Sequence, residues 1–136
     1  MLVSAKKGIP IEIVFTPGSE HDMRAFKRFS LDIPKNSNIY GDRAYNNYSF
    51  EDFLSEHAEI DLIVQRRKCS KRPLLGELKY LQSRMRKKIE TVFSQITRVF
   101  PRNINVVTAK GFEIKIFNFI LAYTFNLFFK ERVALL

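Results

Sequence analysis

The amino-acid sequence predicts an α/β fold in which a mixed sheet is flanked by helices. Three observations predict it. Two alternating apolar segments open the chain around Lys7-Gly8, two further short apolar runs are each preceded by a helical pattern, and two long helical patterns close the chain. The 136 residues fit one domain, because single cores are usually built from roughly 100 to 200 residues.

Residues 2 to 6 and 9 to 16 read as paired strands, with Ile9, Ile11, Ile13 and Phe15 alternating against Pro10, Glu12, Val14 and Thr16. The run Thr16-Pro17-Gly18-Ser19 ends the hairpin as a turn. Asp22 is then placed to cap a short helix whose Met23, Phe26 and Phe29 share one face, and which stops before Pro34. Ile39 and Tyr40 form a brief strand ending at Gly41-Asp42. Ser49, followed three residues later by Asp52, resembles a capping box for a helix that buries Phe50, Phe53, Leu54 and His57. Ile60 to Val64 reads as a short buried strand.

The strongest periodic signal follows. Leu78, Leu81, Met85, Ile89, Val92, Phe93, Ile96 and Val99 recur at spacings of three and four, which marks a long amphipathic helix ending before Pro101. A last helix, about Phe112 to Arg132, is apolar nearly all round and is expected to lie against the core. No repeat, low-complexity tract or Gly/Ser linker divides the chain, so residues 1–136 are expected to form a single domain.

Charge narrows the partner. Lys and Arg number 23 against 14 Asp and Glu, a formal net charge of +9 that favours a polyanion: nucleic acid or an anionic membrane surface. Much of the excess is local. Arg66, Arg67, Lys68, Lys71, Arg72, Lys79, Arg84, Arg86, Lys87 and Lys88 face only Glu77 between positions 66 and 88. This stretch is either a phosphate-binding patch or simply a solvated basic face. The single Cys69 cannot form an internal disulfide and fits a reducing, cytoplasmic location. Lys6 and Lys7 interrupt the apolar start too early for a signal peptide. The uncharged stretch from Ile116 to Phe129 is 14 residues, short of the roughly 20 that span a bilayer.

Two acids stand out by position. Asp42 follows a strand, where functional residues of α/β folds tend to sit, and Glu90 is the only acid between Glu77 and Glu113. Together they could hold a divalent cation, for which hard carboxylate oxygens suit magnesium. Alternatively Asp42 caps the following turn and Glu90 pairs with Arg86 one helical turn earlier, a contact worth only ~0.3 to 0.5 kcal/mol. His21 and His57 are too far apart in sequence to form a local ligand pair, and Ser94 and Cys69 lack an evident base for nucleophilic catalysis.

Three segments, Thr16–Asp22 (TPGSEHD), Tyr40–Tyr45 (YGDRAY) and Arg86–Ser94 (RKKIETVFS), resemble in order the successive signatures of bacterial insertion-sequence DDE transposases. The resemblance implies a ribonuclease H-like fold, here the C-terminal part of the catalytic domain lacking its first strand. It implies DNA transposition by metal-dependent phosphodiester cleavage and strand transfer at transposon ends, with two Mg2+ or Mn2+ ions held by two aspartates and a glutamate. By motif position Asp42 matches the second aspartate and Glu90 the glutamate. Arg86 matches an arginine that contacts the DNA backbone, and Arg66, Arg67, Lys68, Lys71, Arg72 and Lys87 are expected to add phosphate contacts. The signature departs from its common form at Ser83, where a tyrosine is expected, and at Thr97-Arg98, where a lysine is expected. The first aspartate has no counterpart, since no Asp precedes Asp22, whose place at a loop-to-helix turn fits a cap. The chain is therefore expected to be inactive alone, with transposon ends, target DNA and other copies of itself in a synaptic complex as partners. A catalytically dead remnant that still binds DNA or a transposase subunit is the second reading. A third, a peripheral membrane protein, requires the last helix to be exposed.

Overall fold

The computed structural model describes residues 1–134, with side chains through Lys130. The chain forms two compact units, one of Met1–Phe15 with the residues from Lys88 onward, the other Thr16–Lys87.

The second unit contains the parallel sheet. Helix α1 (Asp22–Phe26) buries Met23 and Phe26. It is capped by His21, whose Nδ1 accepts from the Met23 amide at 3.2 Å, so Asp22, the expected cap, instead occupies the first turn. Strand β3 (Ser37–Gly41) pairs in parallel with β4 (Ile60–Val64), Gly41 lying opposite Val64. Parallel neighbours need a crossover, which α2 (Tyr48–Ala58) supplies. Its cap is Asn47, whose side chain accepts from the Phe50 amide at 3.0 Å, two residues before the expected Ser49. Ile39, Leu54, Ile60, Leu62, Ile63 and Val64 are buried, and Phe26 meets Tyr45 and Phe50 edge-on. Of the side chains expected on the buried face of α2, Leu54 is buried, whereas Phe53 is exposed and stacks on exposed His57.

The other unit opens with strands β1 (Leu2–Val3) and β2 (Pro10–Glu12), an antiparallel pair shorter than its sequence pattern. Its turn depends on Gly8, which adopts φ +72 and would bring an added Cβ within 3.0 Å of Val92 Cγ2. Helix α3 (Gly76–Thr97) enters this unit at Lys88, and α4 (Ala109–Ala134) completes it. Val92, Ile96, Ile120 and Tyr123 form the core, flanked by Val3, Ile13, Phe100 and Ile116.

Two expectations change. The described strands form two separate pairs in place of one mixed sheet. Helix α4 does not lie buried: Ile120 and Tyr123 face the core, while Phe112, Ile114, Phe117, Leu121, Phe125, Phe128 and Phe129 are 41 to 64% exposed. Ala109–Lys130, 22 residues, is long and apolar enough by length and composition to cross a membrane, because helical length counts the residues beyond the uncharged 14.

Candidate functional site

Asp42 sits one residue beyond the carboxyl edge of β3. That edge is held from two sides, since Gly41 O accepts from Gln65 N at 3.2 Å and from Gln82 Nε2 at 2.8 Å. Gln82 is itself buried on α3, a polar anchor hidden in a run read only for its apolar stripe. A Cβ at residue 41 would press on Tyr45 Cδ2 and Val64 Cγ1, both at 3.2 Å, so glycine suits this close approach. Asp42 is exposed, and its Oδ1 caps the 3-10 turn Arg43–Tyr45 by accepting from the Ala44 amide at 2.8 Å. Capping leaves Oδ2 as the oxygen available to a cation.

Tyr45 reports the charge around this turn. Burial raises its phenol above the ordinary value, and the Asp22 and Asp42 carboxylates raise it further. The phenol therefore stays neutral, and both aspartates lie close enough to act on it electrostatically.

Glu90 is exposed on the part of α3 that belongs to the other unit. Arg86, one turn before it, donates to Gln65 Oε1 at 3.4 Å. Among the described residues no group of three His, Cys, Asp or Glu side chains is arranged to hold a metal. The carboxylates on hand are of the type that magnesium accepts.

The basic segment after β4 divides into two kinds of cation. Arg66, expected at the DNA surface, lies in a buried ion pair. Its side chain is 7% exposed, and its guanidinium grips Glu51 at 2.8 and 2.5 Å and also donates to Asn46 Oδ1. Its Nε is buried without a partner. Arg72 forms a two-pronged pair with Asp52, at 2.6 and 3.0 Å, near the surface. That hydrogen bond and charge hold the Asp52 carboxyl below its usual range and raise the Arg72 guanidinium. Both arginines also approach the Tyr48 ring, at 5.0 and 4.8 Å. Arg67, Lys68 and Lys71 are exposed and make no ion pair among the described residues. Farther on, Arg86 and Lys87 are exposed on α3. Counting charges between 66 and 88 misses this division, because the neutralising acids come from α2, 15 and 20 residues away in sequence.

The family comparison joins these observations. No curated protein and no solved structure matches the chain. A family model described as a transposase DDE domain matches residues 1–125, covering both compact units and every motif named above. Families of this kind generally use divalent metal ions, and the chain belongs to the DDE transposases.

Proposed function

We propose that this chain serves DNA transposition as part of a DDE catalytic domain spanning residues 1–136, with Asp42 and Glu90 as two of the carboxylates of a Mg2+ or Mn2+ site. The observation that carries the reading is Asp42, an exposed carboxylate with one oxygen uncapped, set just past a strand end that Gln65 and Gln82 fix in place. Ligands tend to bind at the carboxyl ends of strands in such sheets. On helix α3, Gln82, Arg86 and Glu90 follow at intervals of four along one side of the helix. In this reading the metal would polarise the phosphate and its attacking oxygen. The chain's own residues position the strand, with Arg67, Lys68, Lys71, Arg86 and Lys87 on phosphates and Arg66 in a supporting role. The ribonuclease H-like arrangement, a cytoplasmic location and assembly of several copies around paired transposon ends belong to the same proposal.

Because two carboxylates stand where the family uses three, the 136 residues alone are not expected to cut DNA. Supplying the third carboxylate on an added strand ahead of the hairpin should give Mg2+- or Mn2+-dependent cleavage of a transposon-end substrate. Asp42→Asn and Glu90→Gln in that protein should each abolish cleavage while leaving the far-ultraviolet circular dichroism unchanged. Full activity of either variant would remove that residue from the site.

A second reading is a binding-only remnant, in which DNA is held and never cut. It predicts that the carboxylate-completed protein stays inactive while DNA affinity persists. The exposed face of α4 is what the membrane-surface reading requires. Flotation with anionic vesicles would establish that reading, and the expected outcome is that the protein stays at the bottom of the gradient.

A further inference from the structure

The loop after β4 borders an open surface cavity of about 340 Å³ beside the start of α2, lined by Asn46, Tyr48, Arg67, Cys69, Ser70 and Lys71. We propose that this cavity is a preformed seat for one phosphate group of a DNA strand, contacted by Arg67 and Lys71. The inference rests on the DNA-binding reading above and assigns within the basic patch which cations touch phosphate.

The walls are held by bonds internal to the protein. Arg66 is anchored to Glu51 and Asn46 at one end of the loop, and Arg72 to Asp52 at the other. Tyr48 Oη and Ser70 Oγ share a hydrogen bond of 2.7 Å, and the Ser70 amide donates to Arg67 O at 3.1 Å. The loop thus has its shape before any ligand arrives, which lowers the ordering cost of binding.

The lining favours an anion. It holds a guanidinium, an ammonium and an amide, with no carboxylate, since Glu51 and Asp52 already face Arg66 and Arg72. Asn46 accepts through Oδ1 from Arg66, so its NH2 is the end left to donate. Asn46 and Tyr48 flank Asn47, the cap of an 11-residue helix, whose N-terminal dipole adds partial positive charge. A forked Arg beside a point-charge Lys is a donor set suited to phosphate oxygens. The volume is at the low end for small-molecule sites, roughly 300 to 1,000 Å³, and admits a group of nucleotide size or less.

Cys69, the chain's one cysteine and exposed, lies in the lining and is a ready reporter. The rate of its alkylation by N-ethylmaleimide should be measured on the 136-residue chain with and without a short single-stranded oligonucleotide, binding being followed in parallel by fluorescence anisotropy. Saturating oligonucleotide should slow alkylation about tenfold or more. Arg67→Ala and Lys71→Ala, each saturated with oligonucleotide, should react at the free rate. Lys110→Ala removes one positive charge outside both the lining and the phosphate-contacting set and should keep the protection. Oligonucleotides with and without a 5′-phosphate separate the two sources: protection by the phosphorylated strand alone assigns a terminal phosphate, and equal protection assigns internal diesters. If DNA binds and Cys69 still reacts at its free rate, or if Lys110→Ala loses protection as Arg67→Ala does, the seat is overturned and the DNA-binding reading survives. Absence of any DNA binding overturns both.

Discussion

The unit of residues 16–87 and the unit built from the hairpin and the C-terminal helices treat their difficult surfaces in opposite ways. In the first, charges taken out of water are matched within the chain: Glu51 with Arg66, and Glu20 with Arg28. In the second, α4 packs Ile120 and Tyr123 inward and leaves a row of Phe side chains facing out. Buried charge demands a partner at the moment of folding, because an unmatched ion in the interior costs several kcal/mol. Exposed apolar area is tolerated at a far smaller cost per residue. The first unit therefore carries the signs of complete charge pairing, although Glu20 Oε2 and Arg66 Nε lack hydrogen-bond partners among the described residues, and the second presents surface that its own residues do not cover.

The largest expected effect tests that completeness. Glu51→Ala should lower stability by about 3 to 5 kcal/mol in urea unfolding, since it strands the Arg66 guanidinium. A paired Glu51→Leu, Arg66→Met variant should recover most of the loss. A single-variant cost below about 1 kcal/mol would mean that water reaches the pair.

A middle-sized effect separates the two faces of α4. Tyr123→Phe removes the hydrogen bond to Gln95 at 2.8 Å and should cost about 0.5 to 1.5 kcal/mol. Phe125→Ala, on the outward face, should stay within about 0.5 kcal/mol. A cost near 2 kcal/mol for Phe125→Ala would show that this face is covered in solution, and the contrast between the units would fail.

The smallest effect is a pH dependence. Asp52 has its pKa lowered by Arg72, so its contribution to stability is complete above the unfolded carboxylate value and is lost as pH falls through the folded one. Asp52→Asn should therefore melt slightly below the parent at pH 7 and together with it in strong acid. Because both side chains are about half exposed, salt should narrow the difference. A gap that widens on acidification would contradict the assigned pair.

Much of the element order was legible because it depends on local pattern. Ile60–Val64 is an apolar run of strand length, and the stripe through Val92 and Ile96 has helical spacing, so each appears where the periodicity put it. Caps were less legible. Both Asp22 and Ser49 are good capping residues, yet His21 and Asn47 take those places, because the choice depends on where the preceding chain turns. Asp42 was legible as a residue after a strand, and its capping bond to Ala44 matches one of the two roles read for it. The division of the basic cluster was hidden, since Arg66 and Glu51 meet only once β4 returns beside α2. Burial of α4 was misjudged for a related reason: periodicity shows how apolar a helix is, and the supply of neighbours to cover it is a property of the whole fold.

The Arg66–Glu51 pair also constrains how relatives of this protein can diverge. Replacing either residue alone buries an uncompensated charge, whereas replacing both with apolar residues of similar volume is close to neutral. Descent through single substitutions must then cross a poorly folded intermediate, so the two positions are expected to be inherited as a unit. In a sequence alignment they should covary despite lying 15 positions apart. Arg67, whose side chain makes no ion pair among the described residues, should vary or persist according to the DNA it meets and not according to residue 51.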